Sequence, residues 1–288
     1  MKKFSIMIAM CLFVVVFGLW TTSHALSVTQ DTDATSLANA VSAGATGLVV
    51  TGASLSFNSS AAAGAASSGT YTNASGTYGI GSGIILSSGN VSSYGDGPNT
   101  QSDFTFSYGV LATGAQQALL FPITGKSYHY DVTQLNITFD MLPGFNTVFF
   151  NVVFGSEEWP EYVNSAYIDG FGLFLNGFNI ASVGGLPVNI NHPGMSPIPG
   201  TELDAVLAPG GNPINLFSGL VGDGSTGNTL TFIVADASDS ILDTTVYIAS
   251  LGGTLPPNGE VPEPMTMLLL GSGLAGVGLY RRFRKPRG

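Results

Sequence analysis

Short β-forming segments, each bounded by turn residues, are the feature that most limits what this chain can fold into. Strict alternation of apolar and polar residues places the apolar side chains on one face of a half-buried antiparallel strand. This spacing occurs twice without interruption, at Leu135, Ile137, Phe139 and Met141, and again at Leu230, Phe232 and Val234. This pattern, together with a composition poor in Lys, Glu and Arg, disfavours a mainly helical domain.

Nine strands are predicted, and Asn176-Gly177 predicts a type I′ hairpin between two of them. One short helix is predicted over Asp33–Ala43, with Gly44 as its stop, and Ser59–Gly69 is predicted to be a flexible loop. The expected fold is mainly β, a single antiparallel β-sandwich of jelly-roll-like size. The predicted strands are Gly47–Ser56, Gly83–Ser88, Gln134–Met141, Thr147–Phe154, Gly170–Leu175, Asn179–Val183, Pro187–Ile190, Thr229–Ala235 and Thr244–Ser250.

The first 25 residues are typical of a secretory signal peptide. Lys2 and Lys3 precede an apolar stretch, and Ser23 and Ala25 supply the small residues that signal peptidase prefers at positions −3 and −1. Export through the Sec translocon and cleavage before Leu26 are therefore predicted. The single cysteine of the chain lies inside this segment, so the mature protein is expected to lack disulfides and thiol chemistry.

Charge is distributed very unevenly along the chain. Residues 27–255 hold sixteen of the eighteen acidic residues and one of the eight basic residues, Lys126, which gives a formal charge of −15. Such a surface repels polyanions, so nucleic acid is an unsuitable partner, and it attracts divalent cations. Nucleotide binding is not expected either, because no lysine follows the short glycine-rich stretch Gly81-Ser82-Gly83.

An apolar span followed by basic residues ends the chain. Residues 265–280 would form a helix about 24 Å long, which is marginal for a bilayer core of about 30 Å. We interpret this span as a transient membrane helix whose basic end stays in the cytoplasm. The basic residues of this predicted membrane stop are Arg281, Arg282, Arg284, Lys285 and Arg287.

The last 28 residues resemble the PEP-CTERM sorting signal, which combines a Pro-Glu-Pro stretch, an apolar span and an arginine-rich end. The resemblance rests on Pro262, Glu263 and Pro264 together with the span 265–280 and the basic tail 281–287. It implies recognition and cleavage by an exosortase, in Gram-negative bacteria that make exopolysaccharide. An ordinary membrane anchor is the alternative. Residues 253–260 are predicted to link this signal to the folded domain.

Residues 26–252 resemble the choice-of-anchor L domain, a β-rich module of surface proteins with interchangeable sorting tails. The resemblance rests on the stretch Phe154 to Asn164, on Asp169-Gly170-Phe171-Gly172, on residues 235–243 and on the glycine-rich run Gly79–Gly89. It implies a location and an architecture, but no reaction. Trp159 stands where tyrosine is common in the family, and an aromatic residue is thereby kept.

Acidic residues are concentrated in two loops that follow predicted strands. Ca²⁺ prefers six to eight oxygen ligands, so these carboxylates predict a calcium site, although their spacing is not that of an EF-hand. The alternative is that Glu157 and Asp236 accept backbone N–H groups and cap irregular turns. The candidate ligands are Glu157, Glu158, Glu161, Asp169, Asp236, Asp239 and Asp243.

A non-catalytic surface or extracellular-matrix protein that contacts the envelope, a biofilm or exopolysaccharide is the predicted function. A secreted carbohydrate-active enzyme is the alternative, because paired carboxylates such as Glu157 and Glu161 serve as acid and base in glycosidases. His129 and His192, the only histidines of the mature chain, have no nucleophile motif beside them. An ice-binding role is disfavoured because no regular Thr-x-Thr repeat occurs.

Overall fold

The computed structural model describes residues 26–254, which contain seventeen strands and two short α-helices. The helices are α1 (Ala34–Val41) and α2 (Gly114–Thr124). The strands are β1 (Leu26–Gln30), β2 (Leu48–Ser56), β3 (Ser59–Ser60), β4 (Ala65–Ala66), β5 (Ser68–Asn73), β6 (Gly83–Ser87), β7 (His129–Met141), β8 (Thr147–Ser156), β9 (Gly170–Leu175), β10 (Phe178–Asn179), β11 (Ser182–Val183), β12 (Leu186–Asn189), β13 (Met195–Ser196), β14 (Ala205–Leu207), β15 (Asn215–Leu220), β16 (Asn228–Ala237) and β17 (Thr244–Thr254).

Two antiparallel sheets contain all of these strands except the β3–β4 pair. The first sheet has the order β1-β5-β6-β17-β8-β14-β13, with β15 also paired to β8. The second sheet has the order β11-β12-β9-β16-β7-β2, with β10 also paired to β9. The prediction of a mainly β, antiparallel fold is confirmed, whereas the jelly-roll comparison stays a prediction.

The main core lies between the two sheets. It joins side chains of β6, β8 and β17 in the first sheet to side chains of β7, β9 and β16 in the second. Phe150 of β8 meets Phe232 of β16 edge to face, with ring centroids 5.4 Å apart. The predicted alternation is confirmed in β7, because Leu135, Ile137 and Phe139 are completely buried while the residues between them are partly exposed.

Smaller clusters cover the other face of each sheet. On the first sheet, Tyr71, Tyr94 and Tyr247 lie in a second cluster that also includes apolar residues of the loops around Phe104 and Leu203. On the second sheet, helix α2 contributes Leu120 and Ile123 to a third cluster. Both sheets are therefore buried on two sides over part of their area, which explains the continuously buried strands β6 and β9.

The sequence predicts helix α1 correctly but misses α2. Asp33 caps α1 by accepting the Ser36 N–H at 2.7 Å, and Leu37, Ala38 and Val41 are its buried face. The expectation of one helix was wrong because α2 contains Pro122 and lacks a clear apolar stripe. Its ends do carry standard signals: a capping box between Thr113 and Gln116, and Gly125 with a positive φ.

Three predicted boundaries need correction, and one turn is confirmed. Ser59–Gly69 is not a flexible loop, because it contains β3, β4 and the start of β5, and the Ser67 hydroxyl accepts the Asn58 N–H at 2.8 Å. The predicted strand Asn179–Val183 is divided into β10 and β11, and β17 continues to Thr254, inside the predicted linker. The hairpin is confirmed, since Asn176 and Gly177 both have positive φ.

The predicted signal peptide and the predicted tail lie outside the described residues, apart from Leu26 in β1. Ser23, Ala25, the residues of the Pro-Glu-Pro stretch, the span 265–280 and the basic stop are therefore known only from the sequence. Among residues 26–254, no helix has the length and apolar character needed to cross a bilayer.

Candidate functional site

Five carboxylates are buried together where strands of both sheets end. Strand β8 ends at Ser156, beside the start of β17 at Thr244, and β16 ends beside the start of β9. We call this region the acidic end. Its buried carboxylates are at most 1% exposed and belong to Glu157, Glu158, Asp169, Asp236 and Asp243.

The buried carboxylates form two groups, and Glu157 and Glu158 lie in different ones. Side chains alternate between the faces of a sheet, so neighbouring residues at the end of a strand point to opposite sides. Asp204 contributes the strongest neighbouring charge at Glu157, whereas Asp169 does so at Glu158. We call Asp204, Glu157 and Asp243 the outer row. Glu158, Asp169 and Asp236 are the inner group.

The outer row follows from the register of three adjacent strands. Ser156 of β8 pairs with Ala205 on one side and with Thr244 on the other, so the next position along each ladder holds an acidic residue in all three strands. The Glu157 N–H donates to the Asp243 carbonyl at 3.0 Å, which confirms this alignment on one side. Like charges directly opposite each other destabilise a sheet unless something compensates them.

Asp243 is compensated by hydrogen bonds. One of its oxygens accepts the Phe106 N–H at 2.9 Å, and the other accepts the Tyr94 hydroxyl at 3.1 Å. Gly89, the last residue of the glycine-rich run, provides the space, because a Cβ at this position would overlap the Asp243 carboxylate. The run is thus needed for the packing of the acidic end.

Hydrogen bonds satisfy only some of the carboxylate oxygens of the inner group. Asp169 accepts the Ala237 N–H at 2.8 Å and the Thr244 hydroxyl at 2.7 Å. By contrast, both oxygens of Asp236 and Oε2 of Glu158 are buried without a hydrogen-bond partner within residues 26–254. Because desolvated charges are costly, each of these carboxyl groups must either keep its proton or face a cation.

Burial raises the pKa of every carboxyl group in the two groups. It raises the pKa of Glu157 to about 10, with Asp204 and Asp243 adding to the shift by charge repulsion. The pKa of Glu158 rises to about 10 for the same reason, with Asp169 as the next contributor. The pKa of Asp243 rises only to about 6, since its hydrogen-bond donors favour the charged form.

Basic residues do not neutralise this region. Lys126 is the single basic residue between positions 26 and 254, and its Nζ donates to the Ser165 carbonyl at 3.1 Å. The negative charge of the acidic end is therefore balanced by protons, by hydrogen-bond donors or by ions from solution.

The seven predicted calcium ligands do not form one site. The structure brings five of them into the acidic end, Asp239 is half-buried nearby, and Glu161 is exposed. Within residues 26–254, no three or more His, Cys, Asp and Glu side chains are arranged so that together they could hold a metal ion. The alternative, in which Glu157 and Asp236 cap turns, stays a prediction: their carboxylate oxygens have no partner with standard hydrogen-bond geometry in the part of the chain that the structure describes, although the Phe104 N–H favours the charged form of Glu157 and the Ser88 hydroxyl that of Asp236.

Two acidic residues of structural importance were not predicted from the sequence. Asp204 directly precedes the three-residue strand β14, which has no alternation, so only the register of β14 reveals it. Asp131 is completely buried with φ of +50°, and its carboxylate accepts the N–H groups of Tyr108, Gly109 and Val110 at 2.6–3.1 Å. Asp131 thus fixes the segment that leads into α2.

Both described histidines have structural hydrogen bonds. His129 is completely buried between Gln117 and Thr124, at 2.5 Å and 2.7 Å, and burial lowers its pKa to about 4. His192 bonds the Val183 carbonyl at 3.0 Å and accepts the Gly194 N–H at 3.0 Å.

These features define a class of protein: a domain of two antiparallel sheets with buried carboxylates at one end. The chain belongs to the choice-of-anchor L domain family, whose sequence pattern matches residues 26–197. Residues 260–285 match the PEP-CTERM protein-sorting motif. Both predicted resemblances are confirmed, and together they indicate an exosortase-sorted protein exported to the cell envelope or surface. No curated protein sequence matches the chain, and no solved structure does.

The family match ends before the domain does. The resemblance was expected to continue to Gly252, whereas the match stops at residue 197. Strands β16 and β17 nevertheless pair with β7, β9, β6 and β8, which lie inside the match. The acidic end therefore combines residues from inside and outside the matched segment.

Proposed function

We propose that this protein is a non-catalytic surface or extracellular-matrix component of a Gram-negative cell, which contacts the envelope or exopolysaccharide. It is exported by the Sec translocon, trimmed by signal peptidase and processed by an exosortase while its C-terminal span holds it in the inner membrane. The observation that carries the proposal is the order of the two matches, a choice-of-anchor L domain followed by a PEP-CTERM motif.

Burial of Glu157 supports a non-catalytic role. A glycosidase needs two carboxyl groups on either side of a bound sugar. Glu157 is completely buried and Glu161 is exposed, so substrate in solution reaches only one of the pair named by the enzyme alternative.

An open cleft of about 570 Å³ supports contact with a polysaccharide. Phe57, Phe106 and Tyr108 give it aromatic surface, and Asn58, Ser59 and Ser60 give it polar groups. Aromatic faces beside hydrogen-bonding groups match the mixed apolar and polar surface of a sugar ring. Phe106 and Tyr108 pack against each other with ring centroids 5.0 Å apart, which holds one side of the cleft in place.

Retention on exopolysaccharide tests this proposal. The mature protein purified from its own cells is incubated with exopolysaccharide from the same strain, and both bound protein and new reducing ends are measured. We expect retention without new reducing ends, and Phe57→Ala should weaken it at least about fivefold, since one aromatic contact contributes roughly 1 kcal/mol or more. Phe178→Ala is the matched control, because Phe178 is 78% exposed and is not among the residues that line the cleft.

Three outcomes contradict the proposal. New reducing ends would establish the enzyme alternative. Absence of retention would exclude exopolysaccharide contact, and equal losses in Phe57→Ala and Phe178→Ala would place the contact outside the cleft.

A further inference from the structure

Glu157 is the least compensated side chain of the outer row. It is 0% exposed, and neither of its carboxylate oxygens has a hydrogen-bond partner among residues 26–254. The Phe104 N–H is close enough to favour the charged form slightly, but it does not reach hydrogen-bond geometry. A buried carboxylate in this condition destabilises the fold by several kcal/mol if it stays charged and unpaired.

Asp204 presents a third oxygen of the same kind beside Glu157. Its Oδ1 accepts the Asn99 side-chain amide at 2.5 Å, whereas Oδ2 is buried and finds no partner within the described part of the chain. The register of β8 and β14 puts Glu157 and Asp204 at facing positions one residue beyond the paired strands, and Asp204 is the strongest neighbouring charge at Glu157. Three buried oxygens without a hydrogen-bond partner therefore belong to two neighbouring side chains.

The surroundings favour entry of a cation from solution. Asp204 is only partly buried, and the charges of Glu161, Glu202 and Asp103 all act on it. Asp103 and Glu161 also line an open cleft of about 380 Å³. Clefts lined by one sign of charge raise the local concentration of counter-ions.

We propose that a divalent cation of the hard, oxygen-seeking class binds between Glu157 and Asp204. Ca²⁺ accepts carboxylates in mono- or bidentate form and completes its shell with neutral oxygens and water. Glu157 and Asp204 would supply the charged ligands of this site, and neutral oxygens and water would supply the rest of the six to eight that Ca²⁺ requires. The site is distinct from the inner group, and it goes beyond the proposed sorting and matrix role without depending on it.

The bound cation has a clear structural consequence. It joins the end of β8 to the segment that leads into β14, and it neutralises the repulsion within the outer row. Because the ligand geometry requires the folded register, the cation binds the folded state and stabilises it.

Calorimetric titration with CaCl₂ and thermal unfolding test the proposal. The protein is purified after expression of the whole chain in an exporting host and is stripped with EDTA. We expect the melting temperature of wild type to rise by about 5–10 °C when Ca²⁺ exceeds its dissociation constant about 100-fold. Glu157→Gln and Asp204→Asn should each weaken Ca²⁺ binding at least about tenfold, because each removes a charged ligand.

Asp140→Asn is the matched control. Asp140 lies near the end of β7 that is remote from the acidic end, and it accepts the Gly227 N–H at 2.7 Å. This variant should keep the Ca²⁺ affinity of wild type within about twofold. Glu157→Gln should melt in EDTA no lower than wild type, since without the cation Glu157 is protonated and a neutral amide of the same shape replaces it. If Glu157→Gln fails to fold, Asp204→Asn decides the test.

Two results would overturn the proposal. One is a wild-type protein that neither binds nor is stabilised by Ca²⁺ at about 10 mM, well above the weakest protein sites. In that case protons compensate the outer row. The other is an equal response of wild type, Glu157→Gln and Asp204→Asn, which would locate the bound Ca²⁺ elsewhere.

Discussion

Gly89→Ala should destabilise the domain strongly although it adds a single methyl group. The φ of Gly89 lies outside the left-handed region, so the effect must come from the space that the methyl group would occupy. It overlaps the Asp243 carboxylate, which must move away from the Tyr94 hydroxyl, the Phe106 N–H or both. Loss of one such bond to a buried charged acceptor costs about 1.5–3 kcal/mol, and overpacking adds about 1–3 kcal/mol. We therefore expect a loss of about 3–5 kcal/mol.

Thermal unfolding by circular dichroism measures this effect. For a domain of this size, 1 kcal/mol corresponds to about 2–4 °C, so Gly89→Ala should lower the melting temperature by about 10 °C. Gly81→Ala is the control in the same glycine-rich run, because its Cβ would meet no atom within 4 Å. That variant should melt at or slightly above the wild-type temperature. If the two variants melt within about 2 °C of each other, Gly89 does not make room for Asp243, and this account of the run is wrong.

Three further predictions concern other parts of the fold. His129 has its pKa lowered to about 4 by burial, so its contribution to stability is complete above its unfolded pKa of about 6.5 and is lost as pH falls towards 4. The stability difference between wild type and His129→Gln should therefore shrink by about 3 kcal/mol between pH 7 and pH 4 in urea titrations, and a constant difference would contradict neutral burial. Asp131→Ala should lower the free energy of unfolding by at least about 3 kcal/mol, because it leaves three N–H groups without their acceptor. Asp131→Asn should cost less, because asparagine keeps an acceptor oxygen and tolerates the positive φ. Equal losses in the two variants would show that the acceptor is unimportant. Phe232→Ala should cost about 3–5 kcal/mol in the same assay, and a loss below about 1 kcal/mol would refute its place in the shared core.

Periodic strands could be predicted from the sequence because their burial follows the alternation of their own residues. Strands β7 and β16 satisfy this condition, and helix α1 has both an apolar face and a capping aspartate. Strands β14 and β15 do not carry such a signal, since they are short and depend on pairing with β8. The prediction of a flexible loop over Ser59–Gly69 was wrong because a run of small residues is typical of loops, whereas here these residues pack closely in strands.

The acidic end could be predicted only in part. Two loops rich in carboxylates pointed to the right residues, and five of the seven candidates are buried together. Their division into two groups depends on which face of β8 each of Glu157 and Glu158 occupies and on the registers of β14 and β17. Asp204 could not be predicted, because long-range pairing alone places it beside Glu157.

Intact mass measurement of the mature protein isolated from its own cells tests the central claim most directly, namely that this is an exported protein processed at both ends. The account predicts a chain that begins at Leu26 and ends between Pro262 and Pro264. Mature material that still contains Arg287, or that retains residues before Leu26, would contradict it.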